Sequence, residues 1–268
     1  RTATSNVAEY SCALVRGSAV SSWQSIAHEL GHNCGLGHAG GYSSSTGSFH
    51  SYQDDASMGF DRQRESDFTA PARFNLGWMP ESQIGRFPTV AGGNLRALNE
   101  GLLTDGNLLM ITAPCSFCHS IDTGISTTGG DFFLSFRVID AAHAFGVSSD
   151  VPIFDHEYQR MTLEDRVHLH FTATDSRTTE LWKTLGPGDE YTIPGSQSGG
   201  AGLYIVVCST HTKAQNAGAS TEYATVQLSS ASAAATWRGA KRGVSWWYEN
   251  TPRWFTCDGR NFLGTCIT

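Results

Sequence analysis

The apolar positions of this chain change texture along its length. Up to about Pro80 they gather in a few short segments set among Gly- and Ser-rich stretches. Residues 7–16 (VAEYSCALVR) read as a short strand, and residues 22–34 (SWQSIAHELGHNC) as a helix. Ser21 and Gln24 fit a capping box, in which the hydroxyl and the side-chain amide satisfy free backbone groups at the helix start. Gly35 is a natural stop, because glycine takes the left-handed conformation at little cost. Residues 40–56 read as loop, and residues 69–77 (TAPARFNLG) as a second short helix with Pro71 in its first turn. After Pro80, β-like runs recur at 108–113, 131–140, 166–172, 202–209 and 222–229. Gly, Pro and Ser turns separate them, a spacing that predicts an antiparallel β-sandwich.

Composition agrees with a folded domain. Of 268 residues, 40% are apolar and only 16% are charged, ample for a core. The formal charge of -7 disfavours broad binding to nucleic acid or anionic membrane. No apolar run reaches the about 18 residues that a membrane span needs. The N-terminal RTATSNVAEYSC lacks the basic-then-apolar pattern of a signal peptide. Few charges and seven cysteines, at 12, 34, 115, 118, 208, 257 and 266, suit a secreted protein with disulfides. An odd count leaves one thiol free or paired outside the chain.

One segment carries chemistry. Residues 28–38 read HELGHNCGLGH, which fits H-E-x-x-H-x-x-G-x-x-H. His28 and His32 stand four apart on the expected helix, so both imidazoles face one side and can share an ion. Gly35 lets the chain leave the helix sharply and bring His38 back as a third nitrogen ligand. Three His ligands leave a fourth position open, the pattern of catalytic zinc; structural sites are closed, usually with several Cys. Glu29 follows His28 and can serve as general base toward water without occupying the metal. At this chain's own residue frequencies the five fixed positions arise by chance on the order of once in 10^4 such chains, so composition bias does not supply them.

These residues resemble the metzincin zinc peptidases. The resemblance implies a methionine turn beneath the metal, for which Met58 in DDASMGF is the candidate, supporting the site without binding the ion. Some metzincins carry a ligating Tyr two residues later; here Phe60 stands there and cannot coordinate. Within the group the chain is most similar to the gametolysin family, secreted peptidases that digest cell-wall glycoproteins. HELGHNCGLGHAG, Ser57-Met58-Gly59 and FTAPARFNLGW (68–78) carry that likeness, and the β-rich part to about residue 230 shares it more weakly. Some algal members replace the first motif His with Gln, whereas this chain keeps His28. Metzincins have a full N-terminal sheet before the motif helix, and here 27 residues precede His28. By resemblance, residues 7–16 are a late strand of that sheet beside the substrate cleft, the rest coming from a second chain or a cleaved N-terminal part.

Other residues invite weaker readings. Cys115-Ser116-Phe117-Cys118-His119 spells the c-type haem attachment pattern, and half a zinc site is another reading, but a disulfide or structural role is favoured. Cys257 with Cys266 is the favoured terminal pairing, and Cys12 with Cys34 would tie the first strand to the motif helix. His168 and His170 share one strand face, which suits surface or hydrogen-bonded histidines better than a second metal site. Asp54 and Asp55 could hydrogen-bond a His ligand. The tail, with Trp237, Trp246, Trp247 and Trp254 among Arg and Lys, could stack on sugars or peptide or pack on the sandwich.

The expectation is therefore an α+β chain. Residues 1–80 form a partial metzincin-type catalytic region, 81–230 a β-sandwich, and 231–268 a Trp/Cys-rich tail. Its expected activity is zinc-dependent hydrolysis of extracellular matrix or cell-wall (glyco)proteins, with His28, His32 and His38 on Zn2+ and Glu29 as base. The alternative is a non-catalytic structural or adhesive extracellular component on the same fold.

Overall fold

Among the described residues, two α-helices and a large body of β-strand follow from local signals and long-range pairing. The computed structural model describes residues 23–42, 49–50, 68–98, 107–119, 128–138, 153–155, 159–163, 165–174, 178–193, 202–213, 215 and 221–230. Helix α1 spans Trp23–Asn33, close to the expected 22–34. Strands β1 (Ala39–Tyr42) and β2 (Phe49–His50) follow it, within a stretch expected to be loop from residue 40. Helix α2 spans Ala70–Asn75, with Pro71 in its first turn and the Thr69 hydroxyl accepting from the Ala72 amide at 3.3 Å. Gly77, at φ +70, ends it.

A 3-10 turn at Glu81–Gln83 leads into β3 (Ile84–Arg86) and β4 (Gly92–Arg96). The long strands are β5 (Met110–His119) and β6 (Thr128–Arg137). A short hairpin follows, β7 (Ile153–Phe154) with β8 (Arg160–Met161). Then come β9 (Arg166–Ala173), β10 (Thr179–Leu185), β11 (Glu190–Ile193), β12 (Leu203–His211) and β13 (Tyr223–Ser230). The five β-like runs of the sequence correspond to β5, β6, β9, β12 and β13. The short strands and β10 were not expected.

The described strands form two sheets. The larger has nine strands in the order β3-β5-β6-β9-β10-β1-β7-β8, with β2 on β1; the smaller has the order β11-β12-β13-β4. The pairing is not wholly antiparallel, because β1 with β10 and β3 with β5 run parallel. Alternation builds the layer between the sheets. Phe132, Leu134 and Phe136 of β6 and Val167, Leu169 and Phe171 of β9 share one core with Ile205, Val207, Val226 and Leu228 of the smaller sheet. Trp182 plugs it, its ring 4.9 Å from that of Phe132 and 5.4 Å from that of Phe171. The chain is thus a β-rich α+β protein.

The outer face of the larger sheet is covered as well. Ala70, Phe74 and Met79 pack there with Met110 and Phe133, which seats α2 on β5 and β6. His168 and His170 lie on this side and are fully buried, so of the two readings, surface or hydrogen-bonded, the surface one does not hold. The Nε2 of His168 stands 2.8 Å from the Leu163 carbonyl. Among the described residues no helix is long and apolar enough to cross a membrane. The expected strand at 7–16 and the tail at 231–268 lie outside the described residues.

Candidate metal centre

The motif helix ends as its glycine dictates. The Gly35 amide donates to the His32 carbonyl at 2.9 Å, and the Leu36 amide reaches back to the Gly31 carbonyl at 3.0 Å. This is a Schellman closure, and it needs a left-handed residue at its corner. Gly35 supplies it at φ +87, with open space where a side chain would stand. The closure turns the chain under α1 and carries His38 toward the two helix histidines.

Three contacts then fix the cage. The His32 Nδ1 donates to the Leu36 carbonyl at 2.9 Å, so its Nε2 is left with the lone pair. That Nε2 lies 3.0 Å from the Nε2 of His28. The His38 carbonyl accepts from the Thr179 amide at 2.9 Å, which clamps the third histidine to the start of β10. One residue later β1 begins, with Ala39 opposite Thr179. The third histidine is therefore held by the larger sheet, not by the helix.

The rings of His28 and His38 are stacked at 5.3 Å, and those of His32 and His38 stand 4.7 Å apart. Each of the three residues offers a ligand atom within 4.8 Å of the others. Two nitrogens bound to one ion at 2.0–2.1 Å with a tetrahedral angle stand about 3.3 Å apart. The cage thus needs little closure around an ion. Burial, followed by repulsion from His32 and His28, lowers the pKa of His38 from 6.5 to about 4; the Glu29 charge partly opposes this. His38 is therefore a neutral, lone-pair donor at physiological pH. Three converging imidazoles fit a divalent metal ion with an open position, and the Glu29 carboxylate is close enough for its charge to act on His38.

The remaining candidates fall differently. Met58, Asp54, Asp55 and Phe60 lie outside the described residues, as do Ser21, Cys12, Cys257 and Cys266. Cys34 is an exposed free thiol, so the expected tie to Cys12 is not formed. It sits just past the last turn of α1, with its amide bonded to the Leu30 carbonyl at 3.0 Å and its side chain in solvent. Cys115 and Cys118 form a disulfide, which consumes the thiols that haem attachment or zinc would need. Cys208 is disulfide-bonded too. His168 and His170 join no cluster of three potential ligands among the described residues. Sequence reasoning missed the Leu36 carbonyl and Thr179. Neither carries a local signal, because their roles arise from the turn geometry and from the pairing of β1 with β10.

Comparison with known proteins adds no relative: no family model matches the chain, and neither a curated protein nor a solved structure matches it.

Proposed function

We propose that this protein is a zinc-dependent endopeptidase that hydrolyses extracellular or cell-wall (glyco)proteins. The observation that carries the reading is the meeting of His28, His32 and His38 within 4.8 Å, with Glu29 near enough for its charge to act on His38. Zinc suits three imidazoles and one open position. When bound, it supplies Lewis-acid polarisation of the scissile carbonyl and lowers the pKa of water at the site.

The chain's own residues do the rest. His28 and His32 present their nitrogens from one helix face, and His32 is locked in one orientation by the Leu36 carbonyl. His38 arrives already neutral, so no proton has to leave it before it can act as a ligand. Glu29 takes a proton from the attacking water and delivers it to the leaving amine nitrogen. Its place on the motif helix, one residue from His28, would keep it near a bound ion and out of the ligand set. The likeness of residues 28–40, 57–59 and 68–78 to metzincins, and to gametolysin-like enzymes among them, supports peptide as the substrate. The Cys115–Cys118 disulfide and the bonded Cys208 support an oxidising, extracellular setting.

The test is digestion of an unfolded reporter protein by the purified chain, with zinc content measured on the same samples. Cleavage that stops with a chelator and returns with zinc is expected. A zinc-loaded protein that cuts nothing contradicts the reading.

A further inference from the structure

The smaller sheet is buried more deeply than a two-layer sandwich requires. When one face of a sheet meets a core and the other meets water, burial alternates along each strand. The edge strand β11 alternates in this way. The inner strands do not, because residues 203–207 of β12 and 224–228 of β13 are buried without a break. Leu203, Ile205 and Val207 belong to the core between the sheets. Tyr204 and Val206 form a separate cluster on the opposite face, with Cys208 packed against it. Tyr204 is 3% exposed and Val206 6%; Gln227, directly across from Val206, is 4% exposed. Neither described helix accounts for this, since α2 packs on the larger sheet and α1 shares a cleft with α2.

Cys208 narrows what covers the face. It is disulfide-bonded, Cys34 is free, and Cys115 and Cys118 are bonded to each other. Its partner is therefore Cys12, Cys257 or Cys266. Cys12 stands eleven residues before Trp23, the start of α1. Those residues reach about 36–40 Å when fully extended, and a path from the helix layer around two sheets about 10 Å apart takes up most of that. The chain beyond residue 230 has no such distance to cross. It leaves from the end of β13, which is paired with β12, and it holds four of the seven tryptophans. We infer that residues 231–268 form a third layer over the outer face of the smaller sheet, held by a disulfide from Cys208 to Cys257 or Cys266. Forming it joins two thiols with loss of two protons and two electrons to a disulfide oxidant of an extracellular route. The tail's tryptophans then serve as core on this face, not as a platform for sugar or peptide. This layer is independent of the peptidase reading.

Non-reducing digestion of the purified full chain, with cross-linked peptides identified by mass spectrometry, tests the tie. A peptide joining Cys208 to Cys257 or Cys266 is expected. One joining Cys208 to Cys12, or a free Cys208, overturns the inference. Hydroxyl-radical footprinting of the same native protein tests the cover. Tyr204 and most of the tail tryptophans should be protected, and the protection should be lost in urea. Tyr204 oxidised as fast in the native as in the unfolded chain overturns the third layer even where the disulfide is found. A pair of variants separates the contact from the bond. Val206→Lys sets an ammonium beneath the tail, where it would be buried without a partner. Thr192→Lys places the same charge on the same face of the edge strand β11, at a half-buried position opposite Tyr204. The urea midpoint of the first should fall well below that of the second, and equal midpoints overturn the cover.

Discussion

Replacing Gly35 with Ala isolates the backbone contribution to the metal centre. Gly35 holds φ +87 at the corner that returns His38 to the cage, and an added β-carbon meets nothing within 4 Å. The substitution therefore creates no clash, and its whole cost is that of forcing an L-residue into the left-handed region, about 1–2 kcal/mol. The closure rests on two local backbone bonds, Gly35 to His32 and Leu36 to Gly31. The metal-free variant can relieve its strain by opening this turn, at far less cost than unfolding the sheets. The strain then has to be restored when His38 joins His28 and His32 on the ion. Zinc affinity should fall by about 5- to 30-fold, with little change in the unfolding of the metal-free protein. Gly35→Asn is the control, because Asn tolerates this conformation, and its loss should be clearly smaller. Competition against a chelating dye gives the affinities, and urea melts of the metal-free proteins give the stabilities. Equal affinity in Gly35, Ala and Asn proteins would refute the view that this corner sets the position of the third ligand.

Other expectations follow from the core and the cage. Trp182→Ala removes the ring packed against both Phe132 and Phe171, and should cost about 3–5 kcal/mol in urea unfolding. Gly130→Ala would place a β-carbon 2.7 Å from Phe171, and on the Thr172 carbonyl, so β6 and β9 must part; a loss of about 1–3 kcal/mol or more is expected from the same melts. Lys183→Met removes the ammonium that pairs with the fully buried Asp155 carboxylate and should destabilise by about 3–5 kcal/mol, whereas the double change with Asp155→Asn should recover part of this. His38 has a folded pKa below its unfolded value, so the stability it contributes to the metal-free protein is present above pH 6.5 and is lost as the pH falls toward about 4. Melts of metal-free wild type and His38→Phe across that window should converge or cross as the pH falls. Parallel curves would show that His38 is not held neutral.

Much of this was legible because it is local. His28 and His32 declare themselves by spacing on a helix, and Gly35 by the stop that follows. The strands β6, β9, β12 and β13 could be read because their inward positions are large and apolar. β10 was missed because TELWKTL hides its alternation: Glu180 and Thr184 are buried among sheet partners, and a bulge between Leu181 and Lys183 breaks the register. β1 was missed for a different reason. AGGY has little β-propensity apart from Tyr42, and it is a strand because β10, β2 and β7 pair with it. The same pairing explains why Thr179 was invisible as a partner of His38. A disulfide or structural role for Cys115 and Cys118 is readable from their context, and the structure makes it a disulfide between the two. The free thiol at Cys34 is not readable in this way, because a pairing depends on where two distant segments meet.

The central claim is that Glu29 performs proton transfer at a metal held by three histidines. The most direct test compares wild type with Glu29→Gln, a change that keeps size and removes the basic carboxylate. Both proteins are loaded with zinc, their metal content is verified, and cleavage of an unfolded reporter protein is followed over time. The account predicts one zinc in each protein and a fall in cleavage of about 10²-fold or more in the variant. Equal cleavage by the two zinc-loaded proteins would contradict it.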